Sequence, residues 1–153
     1  MDLILWRHAE AIDLELVGDD MERTLTSKGE KQAARIAAWL DRQLPDGAKV
    51  WASPAVRTQQ TAKALERKFK TSAALAPLAT VDELLELVQW PHAKGTVVLV
   101  GHQPTLGHTI SRLLGLSESE CAVKKGAVWW LRYRERESVH KTMLVTVQTP
   151  DLL

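Results

Sequence analysis

Residues 95–104 read Gly95-Thr96-Val97-Val98-Leu99-Val100-Gly101-His102-Gln103-Pro104, and the fold follows from how this stretch is interpreted. A run of β-branched and apolar residues after a glycine favours a strand, because branched side chains pack well on a pleated surface. The run is continuous rather than alternating, which suits a strand buried on both faces, as in a parallel sheet. Gln103-Pro104 then opens a helix whose residues Leu106, Ile110, Leu113 and Leu114 recur at helical spacing, and Gly115 closes it. A buried strand thus passes through Gly101-His102 straight into a helix.

The same grammar repeats outward from this point. Leu3-Ile4-Leu5-Trp6 is a second continuous apolar run, followed by Arg7-His8. A polar, acidic stretch from Glu10 to Glu22 has no period and reads as a loop. Thr26 is placed to cap a long helix carrying Ala33, Ile36, Ala37, Leu40 and Leu44, which Pro45-Asp46-Gly47 ends. Val50-Trp51-Ala52 forms a third strand. Ser53-Pro54 reads as the N-cap and first residue of a helix with Thr58, Thr61, Ala62, Leu65 and Phe69 on one face. A further helix spans Val81 to Gln89 and stops before Trp90-Pro91. Ala127 to Tyr133 and Val139 to Val147 read as an antiparallel hairpin around the polar turn Arg134 to Ser138.

Alternating strands and helices imply an α/β fold: a three-layer α/β/α arrangement, mostly parallel in its central sheet, with helices on both faces and a C-terminal antiparallel hairpin. At roughly 150 residues per domain, residues 1–153 make one domain. Lys and Arg number 20 and Asp and Glu 19, a net charge of +1 that argues against a nucleic-acid face or a polybasic membrane patch. One cysteine, Cys121, permits no intrachain disulfide, and no segment is long enough to span a membrane, so a cytoplasmic protein is expected. There is no Gly-rich nucleotide loop ending in Lys-Ser/Thr and no His-Glu-x-x-His or clustered cysteines, so no metal and no cofactor is expected. His92, His108 and His140 read as structural or surface residues, and Cys121 lacks the basic partner that a nucleophile would want.

In open α/β sheets ligands bind beyond the carboxyl ends of the strands. Arg7-His8 follow the first strand, Ser53-Pro54 with Arg57 the second, and Gly101-His102 the clearest one. Taken singly, each is an ordinary surface pair, a hydrogen-bonded histidine or a solvated helix charge. Together they put two arginines and two imidazoles at one sheet edge, next to helix N-termini that favour phosphate. A neutral imidazole can attack phosphorus, and phosphoryl transfer otherwise needs positioning and cations around the equatorial oxygens.

Four segments, in order over residues 3 to 108, resemble the histidine phosphatase superfamily. Arg7-His8-Ala9 is similar to its Arg-His-Gly signature, Ser53 to Ala62 to its Ser-Pro-x-x-Arg-x-x-x-Thr-Ala segment, and Val100-Gly101-His102 to its second histidine motif. Arg23-Thr24-Leu25-Thr26-Ser27-Lys28-Gly29 resembles the segment before the family's first long helix. The short chain resembles the small bacterial phosphohistidine phosphatases of the SixA type. The resemblance implies that His8 is the nucleophile and that Arg7, Arg57 and His102 bind the phosphoryl group, with Arg23 as a further contact.

Two departures from the family pattern stand out. Ala9 replaces a glycine, a mild change only where φ is negative. The acid that protonates the leaving group in larger members has no clear counterpart, since Asp82 and Glu83 fit a first helical turn; Glu10 is the possible proton donor. The expected activity is a metal-independent phosphatase that forms a phosphohistidine intermediate, acting on phosphohistidine in a protein. The alternatives are a phosphomonoesterase or mutase acting on a small phosphorylated metabolite, and a non-catalytic phosphate- or phosphoprotein-binding module.

Overall fold

Strand β1, Asp2–Arg7, lies inside a six-stranded sheet because Leu3, Ile4, Leu5 and Trp6 have no solvent-exposed surface and must be covered on both faces. The computed structural model describes residues 1–153. The further strands are β2 (Lys49–Ala52), β3 (Lys70–Thr71), β4 (Thr96–Gly101), β5 (Val128–Arg136) and β6 (Val139–Gln148). They are ordered β3-β2-β4-β1-β5-β6. β1, β2, β3 and β4 pair in parallel, and β5 and β6 complete the sheet in antiparallel fashion. The expected architecture, mostly parallel with a C-terminal hairpin, is therefore the observed one.

The side-chain period of two divides the apolar strands between two cores. Ile4, Trp6, Val98 and Val100 face helix α1 (Ser27–Gln43) and helix α2 (Val56–Lys63), meeting Ile36, Leu40 and Ala62. Leu3, Leu5, Val97 and Leu99 face helix α3 (Val81–Val88) and helix α4 (Thr105–Leu114), meeting Leu84, Leu106 and Ile110. Each fully buried Leu or Ile contributes roughly 1.5–3 kcal/mol relative to exposure. Helix ends obey the local chemistry: Thr26 accepts from Gly29 N, Thr80 and Glu83 form a reciprocal capping box, and Gly115 ends α4 in the left-handed region at φ 65°. Gly29 lets α1 touch the preceding loop, since a Cβ there would overlap the Glu10 carbonyl oxygen. No helix is long and apolar enough to cross a membrane.

Four boundaries differ from expectation. α2 begins at Val56 and not at Pro54, because Ala55 is the extended cap residue. α2 also ends at Lys63, so Leu65 is buried beyond the helix and Phe69 only packs against that core. The hairpin strands are longer than expected and leave only Glu137-Ser138 as the turn, both at positive φ, which matches the right-handed twist of the flanking strands. β3 is an added two-residue edge strand whose residues are both exposed, so no apolar pattern announces it. Within the loop before α1, Leu14–Leu16 and Asp20–Glu22 form single 3₁₀ turns.

Candidate active site

The chain leaves β1 at Arg7 and is held by both neighbours: His8 N donates to Gly101 O at 3.1 Å, and Gly126 N donates to His8 O at 3.0 Å. This fixes the His8 ring at the carboxyl edge of the sheet, buried to 6% exposure. Its Nδ1 lies 2.8 Å from Ala9 O. A carbonyl oxygen only accepts, so Nδ1 carries the proton and Nε2 presents a lone pair. Ala9 keeps φ out of the positive region and is fully buried, with its N–H donating to Thr61 Oγ1, so the substitution for glycine introduces no backbone strain.

α2 carries Arg57 into the same place. Arg57 Nε reaches His8 Nε2 at 3.4 Å and Nη2 faces His102 Nδ1 at 3.3 Å. Arg57 has donors only, so His102 Nδ1 accepts, and its Nε2–H donates to Ser53 Oγ at 2.8 Å. The two imidazole centroids are 5.3 Å apart. Arg7 donates from Nη1 to Val123 O at 2.7 Å, while its Nε is buried without an acceptor. Such an unmatched donor costs about 1–3 kcal/mol, and a site that binds anions is where that cost finds a use.

The protonation states follow from burial first. Removal from water pushes the His8 pKa down from 6.5 to about 3, with Arg57, Arg7 and Arg23 adding to the effect and the Ala9 hydrogen bond opposing it. His102 also falls to about 3, through burial and then the neighbouring His8 and Arg57. For His8 burial is the largest cause, ahead of the nearby arginines. Both rings are neutral at physiological pH.

The remaining candidates lie in different settings. Arg23 approaches the centre through Asp20: its Nη1 donates to Asp20 Oδ1 at 3.2 Å and its Nε to Ile12 O at 2.7 Å. The Glu10 carboxylate accepts from Thr26 Oγ1 at 2.7 Å, so it serves the start of α1 and makes no hydrogen bond to either imidazole. Asp82 pairs with Arg112 on the surface, and Glu83 closes the capping box with Thr80. The residues that sequence reasoning overlooked are Ser53, as the acceptor for His102, Thr61, under Ala9, and above all Asp20. Asp20 accepts from Arg57 twice, its carbonyl at 2.6 Å from Nη1 and its Oδ2 at 3.0 Å from Nη2. Nowhere do three or more His, Cys, Asp or Glu side chains gather as metal ligands would. A cavity of about 640 Å³ lies between the start of α3 and the length of α4 and is lined by none of Arg7, His8, Arg57 and His102. His8 and His102 instead meet across Arg57.

Comparison with known proteins places the chain in a family and a fold. Residues 3–91 match the family model described as histidine phosphatase superfamily (branch 1). An uncharacterized protein of a Picosynechococcus species is 32% identical, the match covering 86% of this chain and 85% of that one. A solved structure from Nakamurella multipartitia, whose name proposes a phosphohistidine phosphatase SixA, is 26% identical with a TM-score of 0.77, covering 97% of this chain and 95% of that one. The protein histidine phosphatase SixA solved with tungstate shares the fold at a TM-score of 0.81 and 20% identity, covering 99% of both chains.

Proposed function

The chain belongs to branch 1 of the histidine phosphatase superfamily, and from that premise we propose that it is a phosphatase acting through a phosphorylated His8, with phosphohistidine in a protein as its preferred substrate class. The observation that carries this reading is the His8 ring: neutral, with Nδ1 tied to Ala9 O and Nε2 turned towards a buried arginine. In the first step the Nε2 lone pair attacks phosphorus, a P–N bond forms, and the bond to the leaving group breaks with its electron pair. The Nδ1 proton stays on the ring, donated in a hydrogen bond to the Ala9 carbonyl, which steadies the cationic ring as it forms. Arg57 and Arg7 offset the charge on the equatorial oxygens, where a well-placed arginine is worth about 10³–10⁵ in rate. In the second step water attacks phosphorus, a P–O bond forms as the P–N bond breaks and its electron pair returns to Nε2, and one water proton passes to solvent, leaving inorganic phosphate and the neutral ring.

The substrate class rests on the leaving group. Glu10, Asp82 and Glu83 are engaged elsewhere, and Asp20 is held as an anion between two arginines. None of these four carboxyls stands ready to protonate an alkoxide. An imidazole or amine leaving group is readily protonated and needs no such help, so a phosphoramidate fits better than an alkyl ester. Positioned acid catalysis contributes about 10²–10⁴, and its absence should appear as a steep dependence of rate on leaving-group pKa. The test is rapid-quench labelling alongside a graded series of phosphate esters and a phosphohistidine peptide. An acid-labile, base-stable phosphate on the wild type and none on His8→Ala is expected, with the peptide turned over fastest. Undiminished activity in His8→Ala would refute the nucleophile, and a flat leaving-group dependence would move the substrate to ordinary phosphomonoesters.

A further inference from the structure

Asp20 stands between solvent and the guanidinium at the heart of the site. Its side chain is 41% exposed, whereas that of Arg57 is 4% exposed. Through Nη2, Arg57 holds both the Asp20 carboxylate and His102 Nδ1, and through Nε it reaches His8 Nε2. One guanidinium therefore carries a carboxylate towards its solvent side and two imidazoles on its buried side. The carboxylate does not depend on Arg57 alone for its position. Asp19 caps the 3₁₀ turn by accepting from Met21 N, Arg23 N donates to Asp20 O at 3.3 Å, and Arg23 Nη1 holds Asp20 Oδ1.

Partial burial works to raise the Asp20 pKa, but the hydrogen bonds from Arg57 and Arg23 outweigh it and keep the carboxyl below the usual carboxylate range. Asp20 is thus a fixed negative charge on the solvent side of Arg57, beside two neutral imidazoles, while Glu120 places a second carboxylate near Arg7. The pocket itself favours any phosphoryl dianion, whatever it is attached to. In an in-line attack the leaving group projects away from Nε2, and Asp20, 41% exposed beside the 4% exposed Arg57, is a fixed charge it can meet on leaving towards solvent.

The geometry points to Asp20 as the residue that determines leaving-group specificity, selecting substrates whose leaving side is neutral or cationic, such as a protonating imidazole or amine, and rejecting those that bear a second anion. This inference rests on the phosphatase reading above and adds to it the basis of substrate choice. A purely orienting role, in which Asp20 only steadies Arg57, would lower turnover of every substrate by a common factor. Selection by charge changes the ratio between substrates instead.

The experiment compares kcat/KM for three aryl phosphates of one shape: phenyl phosphate, 4-carboxyphenyl phosphate and 4-(aminomethyl)phenyl phosphate. The proteins are wild type, Asp20→Asn, Asp20→Ala and Asp20→Glu, each with its thermal midpoint recorded. A unit charge about 4 Å from another in water changes a rate constant by about fivefold. The cationic-to-anionic ratio is therefore expected to fall by at least about fivefold in Asp20→Asn and Asp20→Ala and to be kept in Asp20→Glu. Added salt should lower the wild-type cationic-to-anionic ratio, and the change should differ in Asp20→Asn, where only the arginines remain to be screened. An unchanged ratio in folded Asp20→Asn overturns the inference, as does an equal loss on all three substrates. A wild type that cleaves none of the three, and no phosphohistidine peptide either, fails at the phosphatase reading, a result distinct from an unselective but active enzyme.

Discussion

Replacing both buried imidazoles, as His8→Asn with His102→Asn, should abolish most of the dependence of stability on pH between 8 and 5. In the folded chain both rings have pKa values of about 3, depressed chiefly by burial from the ordinary 6.5. The unfolded chain takes up protons on both as pH falls through 6.5, while the folded chain does not. Stability is therefore complete above that pH and is lost progressively as pH falls towards the folded value. At pH 5 each ring accounts for a loss of about 2 kcal/mol, and the pair for about 4 kcal/mol, against a typical total of about 5–15 kcal/mol. Asp2 and Asp20, whose pKa values lie below the usual 3.8, act only in more acidic solution and leave this window clear. The assay is urea unfolding followed by tryptophan fluorescence at several pH values. The wild type should lose about 4 kcal/mol from pH 8 to 5 and the double variant only a small part of that. A wild-type loss below about 1 kcal/mol, or equal slopes in both proteins, would show that the rings are not buried as neutral groups.

Two further outcomes probe the supports of the site. Arg57→Lys should keep a point charge but lose the fork that spans His8, His102 and Asp20, so steady-state kinetics should rank wild type above Lys and Lys above Ala; equal kinetics for wild type and Arg57→Ala would make the residue a mere packing charge. Ser53→Ala removes the acceptor for His102 Nε2–H and should lower kcat/KM by up to about tenfold, with ¹⁵N spectra showing a shifted tautomer balance for His102; unchanged spectra would detach Ser53 from the ring.

Much of this was legible in the residues themselves. β1, β2 and β4 announced themselves as continuous apolar runs, and each ends in a residue that a phosphate site can use: Arg7, Ser53 and Gly101-His102. The covering helices were visible through their period and caps, because Thr26, Thr80 and Gly115 act locally. What was hidden depends on contacts distant in sequence. Ser53 reads as a helix cap because it is a serine before a proline, yet its hydroxyl also accepts a hydrogen bond from a ring 49 residues away. Asp20 sits in an aperiodic acidic stretch, and only its carbonyl and carboxylate meeting Arg57 distinguish it from Asp19. The turn at Gly18 followed by paired aspartates ahead of Arg23 was the one available signal. Glu10 misled because adjacency in sequence to His8 is not adjacency in space: its carboxylate turns towards Thr26.

The position of β1 has a consequence for how the chain is made. Asp2 to Trp6 pair with Thr96 to Val100 on one side and Val128 to Arg132 on the other. As the chain emerges from the ribosome, this strand has neither neighbour until Thr96 to Val100 have been made. At the usual ~5–20 residues per second, Leu3-Ile4-Leu5-Trp6 waits for several seconds as an unpaired, wholly apolar strand. Asp2 and Arg7 bracket it as charged gatekeepers, the arrangement that discourages such a strand from pairing with another nascent copy. Arg7, read until now as an anion contact, therefore also belongs to the solubility of the unfinished chain. Neutral substitutions there should lower the yield of folded protein from a translating ribosome more than they lower the stability of protein already folded.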